Sequence, residues 1–118
     1  MNLTSAKIHG YLDYLVVLVF LCAPTLLHLS IRPAVISYSL AGIHLLLTLL
    51  TDFPPGVLKI VPLKWHGIIE LIVGPVLIVL PFFIGFGPEP AAQYFYIVIG
   101  IVILIAWFLT DYGSPKKD

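Results

Sequence analysis

Two stretches of this chain set a histidine one helical turn ahead of a carboxylate. Lys7-Ile8-His9-Gly10-Tyr11-Leu12-Asp13 places His9 four residues before Asp13, and Lys64-Trp65-His66-Gly67-Ile68-Ile69-Glu70 places His66 four before Glu70. Residues four apart share one face of a helix. Two imidazoles and two carboxylates are a ligand set suited to zinc, manganese or iron. The same groups could relay protons. His9 and His66, at equal depth on equivalent helices, could instead hold the iron of haem b between them. In the structural alternative, each carboxylate hydrogen-bonds its own histidine and fixes its tautomer. Cys22 is the only cysteine, so there is no intrachain disulfide, no cysteine-based zinc cluster and no Cys-x-x-Cys-His haem attachment.

A second polar group lies further along. His44 shares a stripe with Ser37, Ala41, Thr48 and Asp52. Small and polar residues in an otherwise apolar helix face neighbouring helices rather than lipid. The stripe Ser37, His44, Thr48 and Asp52 is thus a candidate path for an ion or proton. The alternative is a neutral buried His44 bonded to Thr48 or a backbone carbonyl. No nucleophile with a paired base, phosphate loop or nucleotide fingerprint occurs. A non-enzymatic role is therefore expected.

The elements that position these residues follow from composition. The chain has 118 residues, of which 60% are hydrophobic and 10% charged. A soluble domain carries about 25% charged residues, and a chain this small cannot hide so much apolar surface from water. Lipid is the expected solvent. Four apolar runs, about Ile8 to Leu29, Pro33 to Leu50, Trp65 to Phe86 and Ala91 to Leu109, each approach the roughly 20 residues that cross a bilayer as a helix. Ser5 suits the first N-cap and Pro33 the first turn of the second helix. Pro and Gly mark the connections. Cys22-Ala23-Pro24 is a poor cleavage context, so the first run is expected to be a structural helix and not a signal peptide.

The two halves repeat. Lys7 to Asp13 aligns with Lys64 to Glu70 at an offset of 57, which also pairs Pro24 with Pro81 and Pro33-Ala34 with Pro90-Ala91. Leu50-Thr51-Asp52-Phe53 then matches Leu109-Thr110-Asp111-Tyr112 at an offset of 59. The expected fold is an all-α membrane bundle of four transmembrane helices, a single domain over residues 1–118. It is built from tandem helical hairpins, residues 5–52 and 62–111, in parallel topology with a pseudo-two-fold along the membrane normal. Alternating helix direction brings His9, Asp13, His66, Glu70, Asp52 and Asp111 into one layer. Gly10 and Gly67 would let neighbouring helices approach.

Five of the six basic residues, Lys7, Lys59, Lys64, Lys116 and Lys117, fall on the side of the termini and central loop; Arg32 is opposite. The loops are short, so this bias predicts cytoplasmic termini in a bacterial inner membrane. Tyr11, Tyr14, Trp65, Trp107 and Tyr112 should lie at that interface, and His28, Tyr94 and Tyr96 at the other. Zero net charge gives no case for nucleic acid. The expected partners are the bilayer and other membrane subunits or further copies of the chain.

The third run reads Ile69-Glu70-Leu71-Ile72-Val73-Gly74-Pro75-Val76-Leu77-Ile78-Val79-Leu80-Pro81-Phe82-Phe83-Ile84-Gly85-Phe86. It resembles the SPW-repeat family of small bacterial and archaeal membrane proteins, matching at Gly74, Pro81, Gly85 and Phe86. Leu80 and Phe82 replace the family's Ser and Trp, and the first hairpin keeps Pro24 in Ala23-Pro24-Thr25. The resemblance implies a two-helix membrane module, often in tandem, and no particular activity. Three functions remain open at this point: an accessory or assembly module of a membrane complex, a metal or haem redox module, and a small transporter or proton-path subunit.

Overall fold

The computed structural model describes residues 5–83, 86, 88–110 and 112. Gly85, Asp111, Lys116 and Lys117 lie outside the described residues. Four helices follow one another: α1 (Ala6–Leu26), α2 (Ile31–Leu50), α3 (Leu63–Phe83) and α4 (Pro90–Leu109). All four are long and apolar enough to cross a membrane. α1 packs chiefly on α2 and α3 on α4.

Each boundary has a local cause. Ser5 caps α1, its hydroxyl accepting from Ile8 N–H at 3.2 Å. α1 stops three residues before the expected Leu29. His28 turns left-handed at φ 51°, and Leu29 N–H returns to the Pro24 carbonyl at 3.0 Å. α2 starts two residues early, which leaves Pro33 within the first turn, where a missing N–H has no intrahelical partner to lose. α3 runs from Leu63 to Phe83 rather than from Trp65 to Phe86. Phe86 instead folds back into the core, with its ring 5.0 Å from that of Tyr96.

Pro24 sits inside α1 and cannot donate to Phe20 O, four residues earlier. Ser37 replaces the lost donor, its hydroxyl giving a 2.6 Å bond to that carbonyl. Tyr96 is fully buried and donates to Pro33 O at 2.7 Å, so it ties α4 to α2 and is not an interfacial aromatic as expected. Phe20, Leu77, Tyr96, Ile99 and Ile103 form the core around these bonds.

The glycines act differently from the expectation. A side chain at Gly10 would strike Pro55 and Phe53 in the loop after α2, and one at Gly67 would strike the Tyr112 ring. These two glycines therefore admit the segments that follow α2 and α4, not a neighbouring helix. Close helix approach occurs at Gly74 and Gly100, where a Cβ on Gly100 would lie 2.6 Å from Gly74 O. Gly100→Ala should force α3 and α4 apart and cost about 1–3 kcal/mol as overpacking does. A lower midpoint in detergent unfolding checks this.

The loop between the hairpins folds back on the end of α2. Val57 N–H and Leu58 N–H bond Leu49 O, and Ile60 and Val61 bond Leu50 O at 2.8 Å. These bonds satisfy carbonyls that a helix end leaves open. They also hold Thr51 in a fixed position beside α3, where Asp52 N–H bonds Val61 O at 2.7 Å.

Candidate metal centre

α1 and α3 start at the same end of the bundle, and this brings His9, Asp13, His66 and Glu70 together. All four are buried, with at most 3% of any residue exposed. One ligand atom from each lies within 4.8 Å of all the others. Two of the contacts lie within a helix and two cross between the hairpins. His9 Nε2 is 2.7 Å from Glu70 Oε1 and 3.3 Å from Asp13 Oδ1. His66 Nε2 is 2.9 Å from Asp13 Oδ2 and 3.4 Å from Glu70 Oε1.

The outer nitrogens are held by threonines. His9 Nδ1 lies 2.7 Å from Thr110 Oγ1, and His66 Nδ1 lies 2.7 Å from Thr51 Oγ1. A threonine hydroxyl has one proton. Thr51 spends it on Leu47 O and Thr110 spends it on Ala106 O. Both hydroxyls must therefore accept, so both Nδ1 atoms carry hydrogen. In the neutral ring that leaves each Nε2 as a bare lone pair directed at the carboxylates. Such outer partners are the usual means of orienting a metal-binding imidazole.

A lone pair facing a carboxylate is repulsive unless a cation lies between them. Either a proton or a metal ion can serve. His9 and Glu70 are aligned to share a proton. His66 and Asp13 are not: at 2.9 Å the ring nitrogen is off the hydrogen-bond line, and His66 Nε2 and Asp13 Oδ2 have no hydrogen-bond partner among the described residues. Buried unpaired polar atoms are costly, about 1–3 kcal/mol each. A metal bonded at about 2.1 Å in a tetrahedron spaces its ligands by about 3.4 Å. The two distances within a helix, His9–Asp13 at 3.3 Å and His66–Glu70 at 3.4 Å, already have that value to within 0.1 Å; the two that cross between the hairpins, 2.7 and 2.9 Å, would open by about 0.5–0.7 Å.

The same four distances disfavour haem. A bis-imidazole haem needs both Nε2 atoms to face each other across a flat macrocycle. Here Asp13 and Glu70 occupy the space between them.

The residues of the expected polar path separate. His44 joins the cluster, its Nε2 lying 3.4 Å from Asp13 Oδ1 with no hydrogen-bond partner among the described residues. Thr48 donates to its own helix at His44 O. Ser37 is committed to Phe20 O. Asp52 is exposed, while Thr51 beside it is buried. Asp111, the other expected carboxylate of this layer, lies outside the described residues.

Three residues of the site carry no charge and were not singled out from the sequence. Thr51 and Thr110 are the threonines of the repeated Leu-Thr-Asp triplet. Tyr112, expected at the interface, turns inward and donates to Glu70 Oε1 at 2.9 Å. Burial, and then the adjacent Glu70 charge, hold its phenol far above the ordinary tyrosine range, so it stays a neutral donor. Phe53 occupies the matching place in the first hairpin, its ring 5.3 Å from His66, as Tyr112 lies 5.5 Å from His9.

The family model of the SPW repeat domain matches residues 7–110. This chain belongs to the SPW repeat family. The matched span starts beside His9 and ends on Thr110, so it contains all four buried ligand residues and both threonines that orient them. Leu80 and Phe82 in place of the family's Ser and Trp lie at the other end of α3 from this cluster. Searches of curated proteins and of solved structures find no match.

Proposed function

We propose that this small SPW-repeat membrane protein holds a divalent transition metal in its His9, Asp13, His66 and Glu70 cluster. In this reading it acts as a non-enzymatic accessory or assembly module in a bacterial inner membrane, with its termini in the cytoplasm. The observation that carries the metal assignment is the pair of threonine-fixed imidazoles whose Nε2 atoms converge on two carboxylates. Charge supports it too. Two carboxylates and a divalent ion sum to zero, which suits a low-dielectric site. Two imidazoliums and two carboxylates also sum to zero, so the ion can replace protons without burying net charge. Two nitrogens and two oxygens suit zinc, iron or manganese.

The orientation rests on Lys7, Lys59 and Lys64 at the metal end and Arg32 at the other. Exposed apolar side chains on all four helices, such as Leu18, Ile43, Ile72 and Ile105, give lipid or a partner subunit its contact surface. The test is calorimetric titration of zinc into chelator-treated protein in mild detergent. Saturable binding at one zinc per chain is expected. Absence of saturable binding for zinc, iron(II) and manganese(II) contradicts the proposal.

A further inference from the structure

The pseudo-two-fold arrangement of the site is broken beside His44. At an offset of 59 from His44, α4 carries Ile103. A cavity of about 40 Å³ lies there, reaching His44 and Glu70. Its other walls are Phe20, Leu40, Ile43, Leu47, Ile69, Val73 and Ile103, all apolar. Ile43 and Ile69 on its rim are exposed on the lipid-facing surface, 64% and 39%.

The lining selects what can occupy it. An ion crossing apolar walls meets a desolvation penalty of several kcal/mol. Only His44 and Glu70 offer polar atoms, the low end of the about two to four partners that ordered water needs, and cavities with mostly apolar walls stay dry and take up xenon or benzene. A small neutral molecule already dissolved in hydrocarbon meets neither obstacle. About 40 Å³ exceeds the roughly 10–15 Å³ that one water-sized body needs, and that suits a diatomic. His44 stands outside the set of four converging ligand atoms but only 3.4 Å from Asp13 Oδ1, and its Nε2 has no hydrogen-bond partner among the described residues. It is placed to hydrogen-bond something held beside the metal.

We infer that the cavity between His44 and Glu70 binds a small uncharged diatomic, of the size and polarity of dioxygen or nitric oxide, next to the metal that the four side chains would hold, with access from the lipid. The inference rests on the metal reading, and its test separates the two. Protein loaded with iron(II) under anaerobic conditions is exposed to nitric oxide and followed by electron paramagnetic resonance. An iron–nitrosyl signal is expected, lost in Val73→Phe with iron content retained, and shorter-lived in His44→Leu. Failure to load iron overturns this inference, and failure to bind zinc and manganese(II) as well overturns the metal reading with it. Loaded iron without a nitrosyl signal, or an undiminished signal in Val73→Phe, overturns this inference alone. Should Val73→Phe not fold, xenon decides on the unaltered chain. Leu40, Leu47 and Val73 methyl resonances should shift under xenon pressure in metal-free protein, and unmoved resonances overturn the cavity's role.

Discussion

Glu70→Gln should weaken zinc binding by about two to three and a half powers of ten. Glu70 Oε1 is the atom on which the site turns: His9 Nε2, His66 Nε2 and the Tyr112 hydroxyl all lie within 3.4 Å of it. Glutamine keeps its size and removes its charge. A divalent ion would then face a single carboxylate, leaving net positive charge in a low-dielectric interior. Breaking a buried ion pair on one side costs about 3–5 kcal/mol, and each 1.4 kcal/mol is about tenfold in Kd. Asp13→Asn should do the same, because Asp13 contacts His9, His66 and His44. Zinc titration with circular dichroism as the folding control checks both. An unchanged Kd in either would show that the carboxylate is not a ligand.

Thr51→Val and Thr110→Val should each weaken metal binding by about 10- to 100-fold, the usual cost of losing an outer-shell partner. Valine has the shape of threonine but cannot accept from Nδ1–H. The ring is then free to rotate or to move its hydrogen to Nε2, and either change removes the lone pair from the site. The pseudo-symmetry of the two bonds, both 2.7 Å, predicts equal effects. Thr→Ser should restore binding at each position, which a purely packing role would not. Asp52→Asn, on an exposed side chain next to Thr51, should leave Kd unchanged.

The contrast between Thr51 and Asp52 explains what was legible in the sequence. Apolar run length and the repeat gave four helices in the right order, because lipid leaves the backbone few alternatives. The i, i+4 spacing found His9 with Asp13 and His66 with Glu70, because a helix face is periodic. Beyond the helix ends that periodicity stops. The Leu-Thr-Asp triplet was visible as a repeat, but charge pointed to Asp52, while the backbone bonds of the loop turn Thr51 inward. Tyr112 and Phe53 depend on glycine gaps at Gly67 and Gly10, and those gaps show only when the segments are seated in them. His44 stands apart from the cluster in the sequence because its neighbour, Asp13, belongs to another helix.

The central claim is that one divalent ion takes the place of the protons that would otherwise neutralise the lone pairs of His9 and His66 facing Asp13 and Glu70. Metal binding to such ligands releases protons. Zinc added to chelator-treated protein in weakly buffered detergent, with a pH-sensitive dye, reports the count directly. The account predicts about two protons released per zinc bound, one from each histidine, and about one in Glu70→Gln if that variant is forced to saturation. Zinc binding without proton release would contradict it, because the ion would then have replaced no proton at these side chains.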